Sequence, residues 1–573
     1  MKLLSLHVDY IKFRPLKKAL KGVSELNAKE KEEKEVKEAL VILTSVEKTD
    51  KNTDLISEKF ADNIKDIAKQ VNAKTIVLYP YAHLSSNLAS PEIAEKVLEK
   101  TEKELVKQKF GVVRAPFGYY KEFELKVKGH PLSELSREIS VEGEEGGKGK
   151  TGEEKYDEKQ LLKEISKTKL DSSKLKENDH RILGQQMDLF SFSDTAPGMV
   201  FWHNHGLIIR DELIKFWKEV HKHAGYQEIS TPQILDKKLW QISGHWEKYR
   251  ENIFLTEYEK RQFAVKPMNC PGGLLVFKNK PKSYKDFPLK VGELGVVHRQ
   301  ELSGVLGGLF RVIQFTQDDA HIFCTPNQVE MEVGKIMDLV DLFYSKFSFT
   351  YNIELSTRPE KRIGSDEDWD KAETILKKVL KERGVKYKIN EGEGAFYGPK
   401  VDYHIKDSLR RTWQCGTIQV DFSMPKRFEL EYTDKDNKKK QPIMLHRAIY
   451  GSLERFIGIL LEHYSGRLPT WLAPVQVRIL SFTDRNEVHA KKVLRELGEK
   501  VPNLRIDSDF RQTTVPSKVK EAEEMKIPYI IVIGDKEEKE NKLAVRVRGS
   551  SKIEMFSPEK FAQKLKEEIE ERV

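Results

Sequence analysis

Apolar residues in the first part of the chain come in short runs, separated by polar residues at two different periods. LLSLHVDY, ALVILTSV, TIVLYPYAH, FGVVRAPF and KEFELKVKG read as strands, whereas the stretches around Ser57 to Val71 and Pro91 to Gln108 repeat apolar residues at helical spacing. The pattern predicts one compact α+β unit over residues 1–138. Apolar content then collapses. VEGEEGGKGKTGEEKYDEK and its Lys/Glu-rich continuation have little to bury, so residues 139–178 are expected to be a charged linker with room for a short helix. Patterning resumes over residues 179–472, where the helix-period run GLIIRDELIKFWKEVHKHAG ends at Gly225 and leads to Pro232. Beyond it, strand runs (VRILSF, LRIDSDF, YIIVIG, LAVRVRG) alternate with the helical HAKKVLRELGEK and VPSKVKEAEEMK, which predicts a small α/β domain over residues 473–573 with a mainly parallel sheet.

Length and composition narrow the class. A chain of 573 residues should form about three to four domains. Lys and Arg number 100 against 91 Asp and Glu, a net +9, which is compatible with a polyanionic partner but by itself describes only a well-solvated surface. Three cysteines argue against a disulfide framework and for a reducing compartment. Cys324 and Cys415 lie in apolar strand-like runs and read as packing residues. The opening MKLLSLHVDYIKF has too short an apolar run for a signal or a membrane span, so a soluble, cytoplasmic protein is expected.

Three distant segments each offer one soft or borderline metal ligand: Cys270 in VKPMNCPGG, His321 in FTQDDAHIFC and His446 in PIMLHRAIYGSLERF. One thiolate and two imidazoles suit zinc and leave a coordination position for substrate. Spacing alone does not separate such a set from satisfied core histidines. Arg299, Arg311 and Arg455, interspersed with them, are side chains suited to phosphates. A rival phosphate signal fails: Gly149-Lys150-Thr151 imitates the end of a P-loop, but Glu144 stands where its first glycine belongs, and no buried strand precedes it.

KPMNCPG, HRQE with FRVIQFTQDDAHIF, LSTRPEKRIGSDEDWDKAE, GEGAFYGPK, WQCGTIQVDFSMPKRF and HRAIYGSLERFIGIL resemble, in order and spacing, the catalytic core of the threonyl-tRNA synthetase family of class II aminoacyl-tRNA synthetases. The resemblance runs from Asp179 to Val573 and implies an antiparallel-sheet catalytic core, with the 179–225 region building a homodimer interface. It also implies a reaction: threonine is activated with ATP and Mg2+, then transferred to tRNA(Thr). By resemblance Arg299 holds the α-phosphate and the carboxylate, Arg455 the γ-phosphate, Arg311 a further phosphate, and Glu301 reads adenine or the tRNA end. Cys270, His321 and His446 would hold one zinc per subunit. The amino acid pocket maps onto Gln317, Asp319, Tyr397, Gln414, Thr417, Gln419 and Ser452, with Asp319 facing the substrate ammonium and Gln419 its oxygen atoms. His245, in SGHW, matches the family histidine that relays the ribose proton in transfer; the bland alternative is a histidine packed beside Trp246. Gly273 departs from the family, in which a histidine often follows KPMNCPG.

HVDYI, YPYAHLSS, APFGYYKEF and KGHPLSELSR resemble the archaeal editing domain of the same family, related in fold to D-aminoacyl-tRNA deacylases. The resemblance implies hydrolysis of Ser-tRNA(Thr) and marks His83, Tyr120, Lys121 and Glu134. Such a site answers a chemical need, because a missing methyl is worth only about 1–3 kcal/mol of discrimination. Val8 stands where relatives often have serine, next to Asp9. The C-terminal α/β domain resembles the anticodon-binding domain of several class IIa synthetases, with Glu537, Arg546 and Arg548 at the positions that contact bases. Two other readings compete with this one. A prolyl- or histidyl-tRNA synthetase would share the ATP arginines without needing the three metal ligands, and an RNA-binding regulator would need none of the catalytic set.

Overall fold

The computed structural model describes residues 1–20, 25–48, 50, 52–85, 87–130, 132–139, 162, 175–407 and 411–573. The expected linker helix and the Gly149-Lys150-Thr151 decoy lie outside these residues. Two compact units divide the chain, Met1–Glu154 and Lys155–Val573. Among the described residues no helix is long and apolar enough to cross a membrane.

In the first unit the strands β1 (Lys2–Lys18), β2 (Lys34–Ser45), β3 (Thr75–Pro80), β4 (Gly111–Arg114) and β5 (Tyr119–Val127) form one sheet in the order β4-β3-β2-β1-β5. A sixth strand, β6 (Glu134–Glu138), also pairs with β1. The helices α1 (Thr53–Gln70) and α2 (Pro91–Lys107) supply the crossovers that parallel β2, β3 and β4 require. α1 starts where the Asn52 side chain accepts the Leu55 N–H, and it buries Ile56, Phe60, Ile64 and Ile67 along one stripe. That stripe packs on Leu40, Ile42, Ile76 and Leu78, while Val41, Leu43, Val77 and Tyr79 point to the opposite face of the sheet. Val8 belongs to this second core and is fully buried. Neighbouring Asp9 is held instead by Lys126 at 3.1 Å and Lys128 at 2.9 Å.

The second unit is built on an eight-stranded sheet. Its order is Tyr387–Asn390, Thr350–Ser356, Lys400–Lys406, Thr412–Asp421, Ile443–Ala448, Gln314–Cys324, Leu289–His298 and Gln227–Glu228. The centre is antiparallel and only the two outermost pairings are parallel. The helices Val329–Lys346 and Leu453–His463 bury Val333, Val340 and Phe343 on one side and Phe456, Ile457 and Leu460 on the other into one core. The predicted helix at 206–225 appears as Asn204–His223, with Leu213, Phe216 and Trp217 buried. Cys324 and Cys415 are buried strand residues, as their runs suggest.

At the C-terminal end a five-stranded sheet has the order Ile506–Asp509, Val477–Ser481, Tyr529–Ile533, Leu543–Val547, Ile553–Phe556. The expectation of a mainly parallel sheet is corrected here: two pairings are parallel and two antiparallel. The reason is chain length. The connections after Ile533 and Val547 are too short for the dozen or so residues that a parallel crossover takes; each returns through a left-handed residue, Asn541 (φ 52°) or Gly549 (φ 80°).

Candidate active site and editing pocket

Strand register brings the metal candidates together. His321 and His446 are direct cross-strand partners, and Gln419 faces His446 from its other side. Cys270 opens the helix Cys270–Lys278, with Pro271 in its first turn. One ligand atom from each of Cys270, His321 and His446 lies within 4.8 Å of the others, and all three residues are buried. The set fits a zinc ion on independent grounds. His321 Nε2 is buried without a hydrogen-bond partner, which is costly unless something else ligates it. Asp421 Oδ2 lies 2.9 Å from His446 Nε2, fixing the ring through one nitrogen and freeing the other, as carboxylates behind zinc histidines do. Asp421 is itself anchored by the N–H groups of Ser423 (2.7 Å) and Met424 (2.9 Å). Burial, with Asp319 and Asp421 nearby, pushes the Cys270 thiol well above its ordinary range, and burial pushes His321 well below its own. A divalent cation would reverse the first effect, since a coordinating thiol is deprotonated outright. A Cβ at Gly273 would stand 3.3 Å from His321 Nδ1, so the glycine lets this turn sit close against the imidazole.

The three arginines gather at the same end of the sheet. Arg299 follows the Leu289–His298 strand; its Nε donates to Pro267 O at 3.1 Å, and its guanidinium lies 5.1 Å from the Phe315 ring. Arg455 sits in the first turn of Leu453–His463, where the Ser452 hydroxyl caps its N–H. Its guanidinium donates to Phe310 O and Gln414 O, both at 3.0 Å. Burial lowers the pKa of Arg455, and Arg311 and Arg299 are near enough to lower it further. Three guanidinium groups gathered this closely form a ready seat for a polyphosphate. Glu301 lies 3.8 Å from Arg311 and so shares its edge of this seat.

Residues expected to hold an amino acid touch both groups, Gln414 O accepting from Arg455 and Tyr397 packing beside His446. Tyr397 donates to Gln419 Oε1 at 2.6 Å, and its ring centroid is 4.9 Å from that of His446. Gln317 and Ser452 form a β-bridge. Asp319 accepts from Asn269 at 3.3 Å, and burial pushes its carboxyl up to about 6. Sequence reasoning missed Asp402, which accepts from Gln414 Nε2 (2.5 Å) and Thr417 Oγ1 (3.2 Å) and so orients two pocket residues at once. His245 lies beside this set but is wholly buried. Its Nδ1 is 2.8 Å from Ser243 Oγ and its Nε2 2.8 Å from Met268 Sδ; its aromatic neighbours are Trp240 and Phe396, not the Trp246 of the bland alternative. Burial, reinforced by His446 and Arg299, pushes it down to about 3, so it is neutral at physiological pH.

In the first unit, His83, Tyr120 and Lys121 line one cavity of about 390 Å3. Lys121 Nζ donates to Pro116 O (2.8 Å) and Tyr119 O (3.0 Å) and lies 5.2 Å over the Tyr79 ring; burial pushes it down to about 8. Glu134 does not join them. It stands exposed on β6 opposite Leu6 and is not among the residues lining the cavity. A charged alternation such as ELSRE reads as a loop in sequence, and its place is fixed only by pairing with β1.

In the C-terminal sheet, Glu537 caps Gly534 N–H at 3.0 Å and Arg546 lies between Ile530 and Ile553 in register. Arg548 is set apart from them. Its guanidinium donates to Lys526 O (2.7 Å), Leu468 O (2.6 Å) and Arg467 O (3.2 Å), and burial pushes it down to about 10. These bonds fasten the domain to the end of the catalytic core and engage three of the five guanidinium donors.

Known families match in three blocks. The family described as the archaea-specific editing domain of threonyl-tRNA synthetase matches residues 1–139. The class II tRNA synthetase core domain (G, H, P, S and T) matches 254–464, and an anticodon binding domain matches 476–568. The threonine–tRNA ligase of Clostridium tetani is 52% identical over 398 residues, covering 70% of this chain and 62% of that protein. That of Carboxydothermus hydrogenoformans is 51% identical over 397 residues, covering 69% and 62%. The chain therefore spans less than two thirds of the length of these curated relatives. A solved structure from Cryptosporidium parvum, described as the RNA binding domain of threonyl-tRNA synthetase, superposes with a TM-score of 0.66 at 39% identity, covering 68% of this chain and 98% of that one. With that identity over nearly the whole of a solved relative, and with the metal, phosphate and amino acid candidates converging in one core, the chain belongs to the threonyl-tRNA synthetase family.

Proposed function

We propose that the protein activates threonine with Mg2+-ATP, esterifies tRNA(Thr) with it, and clears mischarged Ser-tRNA(Thr) in the N-terminal unit, working as a homodimer joined through the Asn204–His223 region. One observation carries this reading: Cys270, His321 and His446 offer ligand atoms within 4.8 Å of one another beside the buried carboxylate of Asp319. A zinc held by these three residues would supply a Lewis acid able to take a neighbouring amine and hydroxyl of one substrate together. Asp319 faces the substrate ammonium, and the Tyr397–Gln419 pair presents a hydrogen-bonding wall. Valine, which lacks the hydroxyl, leaves those polar groups unpaired and is rejected strongly. Arg299, Arg311 and Arg455 bind the triphosphate and neutralise charge that grows at the α-phosphate as the carboxylate attacks. Pyrophosphate exchange with threonine, serine and valine tests the reading: threonine and serine should support exchange and valine should not. Exchange with proline or histidine would favour the sibling enzymes instead.

His245 carries the transfer step in this reading, as a neutral base beside Arg299. His245→Ala should slow transfer to tRNA by about 10²-fold, the usual worth of one general base, with adenylation much less affected in single-turnover assays. Equal loss in both steps would assign the residue to packing between Trp240 and Phe396.

In the editing pocket Lys121 holds the ester end of the tRNA and leaves a positioned water and the substrate ribose hydroxyl to complete hydrolysis. Its folded pKa is lowered to about 8, so its positive charge is present below that pH and is lost as pH rises through it. Deacylation of Ser-tRNA, measured as the ratio of wild type to Lys121→Met, should therefore fall between about pH 7 and 9. A flat ratio would remove the lysine charge from the mechanism.

A further inference from the structure

Three buried side-chain polar atoms in the described part of the N-terminal unit have no hydrogen-bond partner in the protein: Ser45 Oγ, Gln108 Oε1 and Arg114 Nη1. Of the three residues only Ser45 lines the editing cavity. It is the last residue of β2 and is 4% exposed. Strand alternation places it on the face of Leu43 and Tyr79, away from the helices, and Tyr79 is the ring under the Lys121 ammonium. Its neighbour Thr44 points to the opposite face and donates its hydroxyl to Lys2 O at 3.1 Å, so no such demand arises there. A buried hydroxyl left unpaired in a cavity wall is unfavourable and calls for a partner that the folded chain does not supply.

Resting on the deacylase reading above, we propose that Ser45 is a specificity-determining residue of the editing pocket, its hydroxyl hydrogen-bonding the side-chain hydroxyl of the seryl ester. The cavity wall also includes the apolar Val46, Leu88 and Ala89, and no Asp or Glu is among its lining residues. An ammonium would find no carboxylate there, whereas a small neutral hydroxyl can satisfy Ser45 without burying a charge. The ester and ribose end of the substrate then lies toward Lys121, where a cation is available. In this arrangement Ser45 reads for the presence of a hydroxyl, the feature that serine shares with the amino acid the synthetic site selects.

The test compares tRNA(Thr) carrying a seryl or an alanyl ester in single-turnover deacylation by the full chain. Wild type should hydrolyse the seryl ester about tenfold or more faster than the alanyl ester, because the alanyl ester leaves Ser45 unpaired. Ser45→Ala should lose that preference by slowing on the seryl ester alone, and Ser45→Thr, which restores a hydroxyl, should keep it. A wild-type ratio near one, or a Ser45→Ala loss equal on both esters, would overturn the proposal; the wild-type ratio decides even if the alanine variant misfolds. If wild type hydrolyses neither ester, the deacylase reading itself falls and takes this inference with it.

Discussion

Cys270→Ala should reduce bound zinc from about one per subunit to none and lower threonine-dependent pyrophosphate exchange by at least about 10²-fold, the scale of a Lewis acid worth several kcal/mol to the transition state. The fold should survive. Cys270 is the first residue of its helix, so the substitution removes a sulfur at a helix end without interrupting backbone bonds. Its packing neighbours Leu274, Phe277 and Tyr397 remain to close the site. A graded companion sharpens the result. Asp421→Asn keeps the volume of the side chain that orients His446 but removes its charge, and should weaken zinc binding by about 10–100-fold while leaving a measurable site. Metal analysis by mass spectrometry, alongside exchange assays at several zinc concentrations, would separate the two: added zinc should rescue Asp421→Asn and not Cys270→Ala. Rescue of both, or full activity in the metal-free Cys270→Ala protein, would end the zinc reading.

The contrast between Cys270 and Asp421 also shows where sequence reading stops. Cys270, His321 and His446 were legible because each is a chemically distinctive residue inside a family motif, and strand register then had only to bring them together. Asp421 and Asp402 look like any carboxylate near a strand end. Their roles come from pairing, since Asp402 faces Thr417 across the sheet and Asp421 is the last residue of the strand that places Gln419 opposite His446. The same limit applies to two further candidates. Glu134 and Arg548 are candidates by resemblance alone; the pairing of β6 with β1 holds one away from the cavity wall, and three backbone carbonyls accept from the other. Elements with a strong period, such as α1 and the Asn204–His223 helix, emerged close to their predicted bounds. Short polar or partly exposed ones, such as β6 and Ile553–Phe556, carried too little burial to announce themselves. The parallel character of the last sheet fails for a different reason: between Val547 and Ile553 the chain turns through Gly549 with too few residues for a crossover helix.

Lys266→Met is the substitution expected to cost the most stability. Lys266 is fully buried four residues before Cys270, and its ammonium lies 2.9 Å from Glu293 Oε1 and 3.0 Å from Thr231 Oγ1. The same carboxylate oxygen accepts the Thr231 N–H and hydroxyl, both at 2.8 Å. Methionine fills much of the volume but strands Glu293 as an uncompensated charge, an arrangement that costs about 3–5 kcal/mol when one partner of a buried pair is removed. The loss should appear in the denaturant midpoint of the second unit, and the transition of the N-terminal unit should not move. Removing the charge from both partners tests the cause: Lys266→Met with Glu293→Gln should recover most of the loss, because no buried ion is left unpaired. The pair also bears on chemistry through backbone position. Pro267, the next residue, offers the carbonyl that Arg299 Nε donates to, and Asn269 holds Asp319. The double variant should therefore regain stability while its exchange rate stays below wild type, since neutral side chains hold the Lys266–Cys270 segment less firmly than an ion pair does. Full recovery of both would confine the pair to stability, and no recovery of stability would show that volume, not charge, was lost.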